Sequence, residues 1–217
     1  MAQQFDSFLS PATDLEVDKV SRVSKEVLGK TYLRLKAEHL ELDEDFPEGR
    51  AKVKMRLIQS TEDSSLPLNI EGEGVGLVDA CFDGLLKHFA REYQSLSTLT
   101  MVDFNISVRM KDSQGRRTDA FANATLKIKN SENYTYNFLE RTPSVSQSSV
   151  AVVQEAIAFF VNSERAFIQL YIALEDAQKR ARSDLVERYK HQMSTLVCAT
   201  SYVQVVGKRG LKLPSGA

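Results

Sequence analysis

Leu66-Pro67-Leu68-Asn69-Ile70-Glu71-Gly72-Glu73-Gly74-Val75-Gly76-Leu77-Val78-Asp79-Ala80 changes its hydrophobic period part-way along. Leu66, Leu68 and Ile70 alternate with other residues at the two-residue period of a half-buried strand. From Val78 the period lengthens. Val78, Cys81, Phe82, Leu85 and Phe89 fall on one helical face, and Asp79, Asp83, Lys87 and Arg91 fall on the other. The stretch therefore reads as a strand, a Gly-rich turn and a helix over about 76–93. Glycine tolerates positive φ and lets a backbone or a ligand approach closely. A helix start offers unpaired amides and a positive dipole end, which suit a carboxylate or phosphate. The competing explanation is a tight strand-to-helix connection in which Asp79 simply favours the first helical turn.

Outward from this stretch the same order of elements appears twice. Thr13-Asp14-Leu15-Glu16 reads as a capping box with Thr13 as N-cap. Val17, Val20, Val23 and Val27 follow at helical spacing, and Gly29 is placed as the C′ residue. Tyr32 to Glu38 alternates, and Leu40 and Leu42 continue after a phase shift that marks a bulge or a strand end. The acidic stretch Asp43 to Gly49 is a turn, and Ala51, Val53, Met55 and Leu57 form the inward face of a second strand. After the helix the pattern restarts. Val102, Phe104, Ile106, Val108 and Met110 make one strand, and Ala120, Ala122, Ala124, Leu126 and Ile128 make the next. Tyr134, Tyr136 and Phe138 make a third, followed by a Pro143- and Ser-rich loop and a helix with Val150, Val153, Ile157, Phe160 and Val161 inward. The expected fold is α+β: two β-β-β-α units, 31–94 and 97–162, each an antiparallel sheet packed on helices. An N-terminal extension with a short helix (1–30) and a C-terminal segment (163–217) complete the chain. In the latter a separate charged helix over 163–194 is expected, with Phe167, Leu170, Tyr171, Leu174, Ala181, Leu185 and Tyr189 as a narrow apolar stripe. Leu196 to Val206 is expected as a strand and Gly207 to Ala217 as a basic tail.

Composition excludes several classes. Among 217 residues, 28 Lys and Arg balance 29 Asp and Glu, a net charge of −1 that argues against a dominant nucleic-acid footprint. No run of about 18 apolar residues suggests a membrane span. The N-terminus lacks the basic and apolar regions of a secretory signal. Cys81 and Cys198 are read as reduced thiols, so a cytoplasmic, non-membrane protein is expected. His39, His88 and His191 are the only histidines and do not pair at metal-ligand spacing. No nucleotide, hydrolase-elbow or zincin motif is present, so neither a cofactor nor catalytic residues are expected. His88 is placed on the helix surface, Tyr134 and Tyr136 on a packed sheet face, and Cys81 in the core as an inert thiol. Lys179, Arg180 and Arg182 are read as a solvated helix face.

The duplicated β-β-β-α pattern, with Gly72-Glu73-Gly74-Val75-Gly76-Leu77-Val78-Asp79-Ala80 closing its first unit, resembles the C-terminal regulatory domain of 2-isopropylmalate synthase and its citramalate synthase relatives. The aromatic-rich helix end Phe159-Phe160-Val161-Asn162 looks like that family's second half, and the likeness spans about residues 31–175. The resemblance implies a homodimer that binds an end-product branched-chain amino acid against the two strand-to-helix turns, near the subunit interface. Carried over, the first turn contributes Gly72, Gly74, Val75, Gly76, Leu77, Val78, Asp79 and Ala80. The second, Ser144 to Val152, contributes Ser146, Ser148 and Ser149. Val75 stands where the family has Asn, Leu77 where it has Pro, and Ala151 where it has an acidic residue. A (β/α)₈ catalytic barrel takes about 250 residues, so the resemblance implies no synthase activity in this chain. The expected function is a non-catalytic regulatory and dimerisation domain binding a branched-chain amino acid or similar small acid. The alternative is an interaction module with a degenerated pocket, docking a partner such as a separately encoded synthase through its C-terminal helix.

Overall fold

Ala51, Val53, Met55 and Leu57 are all buried while the residues between them face solvent, the burial alternation that their sequence spacing requires. They lie on β2 (Arg50–Ser60), the centre of an antiparallel sheet with β1 (Arg34–Asp45) and β3 (Ser65–Gly74) on either side. Helix α1 (Ala12–Leu28) precedes this sheet and α2 (Leu77–Phe89) follows it. A second three-stranded antiparallel sheet repeats the order with β4 (Thr100–Arg109), β5 (Phe121–Lys129) and β6 (Thr135–Thr142). It leads into α3 (Val145–Lys179) and then α4 (Ser183–Leu196). This is an α+β protein built from two β-β-β-α units. The computed structural model describes residues 12–109 and 121–200. Met110, Ala120 and the chain from 201 onward, including most of the expected C-terminal strand and the tail, lie outside the described residues.

Both first strands carry a bulge at the equivalent place. The register of β1 on β2 shifts between Ala37 and His39, which accounts for the phase change read in the sequence. The register of β4 on β5 shifts between Met101 and Asp103. This second bulge puts Met101 opposite Ile128 and leaves Val102 exposed, a correction to the unbroken alternation expected from Val102.

Further expectations are corrected. Helix α1 takes in Ala12 and Thr13, so Thr13 lies within its first turn, and Gly29 follows its end at φ +50°. Helix α2 stops at Phe89, and a short 3₁₀ turn, Gln94–Thr98, precedes β4. The boundary placed at residue 163 does not exist: α3 runs unbroken for 35 residues. Nothing between Asn162 and Ser163 breaks a helix, and the Ser163 hydroxyl donates to the Phe159 carbonyl of the preceding turn at 2.8 Å. The break falls at Ala181, which is exposed, with φ +52°. The Arg182 amide reaches the Ala177 carbonyl at 3.0 Å and the Ala181 amide reaches that of Gln178 at 3.1 Å, the bond pair of a Schellman cap. Ala181 is therefore a cap residue and not part of an apolar stripe. Leu196 ends α4 and Val197–Ala199 is a 3₁₀ turn, so the expected strand does not start there.

One hydrophobic cluster takes in side chains of both units and of α1 and α4. Helix α3 lies at its centre, packed against α1, α2, α4 and strands of both sheets. Polar side chains of α3 fasten what apolar contact alone leaves loose. Asn162 accepts from the Leu33 amide and donates to the Leu33 carbonyl, both at 2.9 Å, and Gln154 accepts from the Ala37 amide at 3.3 Å. Glu164, fully buried, accepts from the Ser95 amide at 2.9 Å, from the Ser95 hydroxyl at 2.5 Å, and from the Gln94 amide at 3.3 Å.

Two outcomes follow for stability. Asn162→Ala leaves both buried polar groups of Leu33 unpaired and should lower unfolding free energy by about 2–4 kcal/mol in urea titrations. Ala181→Gly relieves the left-handed backbone of a β-carbon and should raise it by about 1 kcal/mol.

Candidate functional site

The first strand-to-helix junction is closed by backbone. Gly72 and Gly74 are the last inward residues of β3, paired with Val53 and Ala51 of β2, and neither has positive φ. Helix α2 crosses directly over them. A β-carbon on Gly72 would run into the Ala80 carbonyl oxygen and sit 2.7 Å from the Gly84 nitrogen. One on Gly74 would sit 2.5 Å from Asp79 Oδ2 and 2.6 Å from the Ala80 nitrogen. Gly84 answers from the helix side, where a β-carbon would lie 2.8 Å from the Glu71 carbonyl oxygen. These glycines let helix and strand touch main chain to main chain.

Helix α2 then supplies the carboxylates that satisfy the end of the strand. Asp79 Oδ2 accepts from the Val75 amide at 3.0 Å, and Asp83 Oδ2 accepts from the Glu73 amide at 3.1 Å and from Lys87 Nζ at 2.7 Å. Gly76 is the N-cap, in extended conformation, and its side of the helix is open, with Glu44 Oε1 4.0 Å from where a β-carbon would be. Ala80 is buried, Leu77 and Val78 are half-buried, and Val75 projects into solvent. Beside the junction, a groove of about 750 Å³ is lined by Gly72, Val53 and Leu42 together with Glu41, Asp43, Glu71, Glu73, Lys52, Lys54 and Lys87. Lys52 is paired with Glu73 at 3.3 Å and Lys87 with Asp83, so acid outweighs free base there.

The second junction is tighter than the Ser-rich loop expected from the sequence. Only Pro143 and Ser144 separate β6 from α3, so Ser146, Ser148 and Ser149 stand in the first turns of the helix. Ser144 is the N-cap, its hydroxyl accepting from the Gln147 amide at 3.4 Å. The Ser148 side chain is buried; it donates to the Ala122 carbonyl at 2.9 Å and accepts from the Thr142 amide at 3.0 Å. Ser149 donates to the Val145 carbonyl at 2.8 Å, and Ser146 lies on the surface 3.1 Å from the Ser144 hydroxyl. Counted from the two N-caps, Ser148 occupies the place of Ala80 and Ala151 the place of Asp83. Asp83 is thus the residue of the first unit at the place that Ala151 holds in the second.

The two junctions border different grooves. Ser146 and Ala151 belong instead to a groove of about 400 Å³ between the bulged β1 and the first half of α3. Leu35, Ala37, Leu40 and Val150 form its apolar wall; Lys36, Glu38, His39, Ser146 and Gln147 are polar residues of its lining, as are Glu140, Gln154 and Glu155. The sequence reading missed these last three. Glu140 holds the place of Gly72, two residues before the end of its strand, and that equivalence is the signal that was available. Burial and the neighbouring Glu155 carboxylate hold the Glu140 carboxyl above its ordinary range.

The remaining candidates have structural partners. Tyr136 and Phe138 pack on Phe159 and Phe160 with ring centroids 5.0–6.2 Å apart within the group, whereas Tyr134 is exposed. His88 is half-buried edge-on to Phe89, and burial with the nearby Arg91 charge lowers its pKa. Cys81 is fully buried with its Sγ 3.4 Å from Met55 Sδ, and burial pushes the thiol up to about 12. Arg180 and Arg182 are exposed and paired with Asp176 and Asp184. Among the described residues no group of His, Cys, Asp and Glu is arranged to hold a metal ion. No protein-family model matches the chain, and no curated protein sequence does.

Two outcomes test these placements. Gly74→Val should unfold or strongly destabilise the protein, read as loss of the cooperative thermal transition, because α2 cannot retreat without abandoning Asp79 and Ala80. A thiol pKa raised on folding contributes stability below its ordinary value, lost as pH climbs toward the folded value near 12. Cys81 should therefore resist alkylation at pH 8 until denaturant is added, and Cys81→Ala should flatten the fall of stability above about pH 9.

Proposed function

We propose that this chain is a non-catalytic regulatory and dimerisation module, similar in kind to the C-terminal domain of 2-isopropylmalate and citramalate synthases. Its ligand is a branched-chain amino acid or a related small acid, and its working form is a homodimer. The observation that carries this is the placement of two β-β-β-α units on one shared helix, α3. A ligand that alters how either unit sits on α3 changes the other, and a ligand shifts such an equilibrium by its differential affinity for the two arrangements. Dimerisation is supported by the incomplete cover on the first strands. Helix α2 packs chiefly on β3 and β2, and α3 covers β5 and β6 far more than β4. Leu42 of β1 and Val108 of β4 are left exposed, and Phe104 and Ile106 are only half-buried.

A protein-interaction module that docks a partner, such as a separately encoded synthase, is the alternative. It is favoured by one feature: main chain of α2 fills the space over Gly72 and Gly74 where the resemblance implies a ligand.

Sedimentation equilibrium and thermal-shift titration with leucine, isoleucine, valine and their 2-oxo acids separate the two. A dimer stabilised by one of them is expected, a ligand at one hundred times its Kd adding about 2.7 kcal/mol. A monomer with no shift at millimolar concentration would leave the interaction module alone.

A further inference from the structure

The groove between β1 and α3 contains a group without a partner. The Gln154 side chain is buried, and its amide orientation is set because the oxygen must face the Ala37 N–H. That leaves Nε2, itself buried, with no hydrogen-bond partner. An unpaired buried donor costs about 1–3 kcal/mol; Gln154 lines the groove, and its Nε2, itself closed to solvent, meets an acceptor seated there by a shift of the side chain. The same wall carries Glu140 and Glu155, neither of which has an ion-pair partner among the described residues.

The acidic character extends beyond the groove. Glu140 and Glu155 also line an adjoining cavity, of about 630 Å³, with Asp18 and Asp103; among the described lining residues there the basic side chain is Lys127. Within the first groove, Glu38 is paired with Arg56 at 3.3 Å and His39 lies 3.4 Å from Glu41, which leaves Lys36 as the basic side chain set against Glu140 and Glu155 among the described lining residues. The excess of negative charge favours a cation and opposes a simple anion. The wall of Leu35, Ala37, Leu40, Val150 and Ala151 suits a short aliphatic body.

We propose that the β1–α3 groove binds an aliphatic ammonium compound whose carbonyl or carboxylate oxygen accepts from Gln154 Nε2 while its ammonium lies between Glu140 and Glu155. This rests on the chain being a ligand-binding module. It moves the ligand from the glycine junction on β3 to the β1 edge of the same sheet, and it selects amines over the 2-oxo acids. Burial first, and then the neighbouring Glu155 carboxylate, raise the Glu140 pKa, in keeping with two carboxylates that lack an ion-pair partner among the described residues.

Isothermal titration calorimetry on the full chain tests it with four probes: leucinamide, leucine, isopentylamine and the 2-oxo acid of leucine. Leucinamide, with a cation and a carbonyl but no carboxylate, should bind tightest. Isopentylamine, which lacks the acceptor, should bind at least tenfold more weakly, and the 2-oxo acid not at all. Glu140→Gln with Glu155→Gln removes two unpaired carboxylates at little structural risk, so thermal stability of the free protein should be kept while leucinamide affinity falls at least tenfold. Gln154→Glu, which keeps an acceptor for the Ala37 amide and removes the donor, should weaken leucinamide relative to isopentylamine. Binding of leucine or its 2-oxo acid that the double variant does not alter would overturn the groove assignment and leave the module standing. Absence of binding by all four probes, with no shift from the other branched-chain acids, would remove both.

Discussion

A helix of 35 residues that must be buried on nearly every side constrains everything else in this molecule. Along its first two-thirds α3 carries Val152, Val153, Ile157, Phe159, Phe160, Val161 and Phe167, all essentially inaccessible to solvent. Such a helix is stable only inside a protein or a membrane. Here most of its apolar length is covered from within: β5 and β6 from its own unit, β1 and α2 from the other, and α1 and α4 as outer layers. Each large apolar side chain so buried contributes roughly 1.5–3 kcal/mol. Removing either unit would strip one face of α3 and with it the core of both.

Apolar contact is non-directional, so it does not by itself decide where β1 lies along α3. Asn162 and Gln154, both buried, do that by holding the main chain of Leu33 and Ala37. Glu164 does the same for the turn at Ser95. These bonds set the register between the units at a few buried points. The groove lies where one of them, that of Gln154, is made by only half of its amide.

The two units solve one packing problem differently. In the first, Gly72, Gly74 and Gly84 remove side chains so that α2 rests on the strand backbone. In the second, Glu140 and Thr142 hold the places of Gly72 and Gly74, and α3 is tied down by the buried Ser148 hydroxyl on the Thr142 amide and the Ala122 carbonyl. A helix held off by side chains leaves room for a lined groove. A helix seated on glycines does not.

Local periodicity carried the strands, the first bulge, the helix α2 and the duplication, because each depends on near neighbours in the chain. What the sequence by itself determined is therefore the α+β class and the inward faces, Ala51 to Leu57 and Ala122 to Ile128 among them. Serines before an apolar run looked like a loop, although Ser144 caps the helix and Ser148 is buried within it. A change from apolar to charged composition after Asn162 looked like a boundary, although nothing there breaks hydrogen bonding. Whether Gly72 and Gly74 face a ligand or a helix, and whether Glu140, Gln154 and Glu155 meet at all, was decided only by the tertiary structure. The reason is physical: a glycine marks a close approach without naming what approaches, and side chains from β6 and α3 become neighbours of β1 only when α3 is buried between the two sheets.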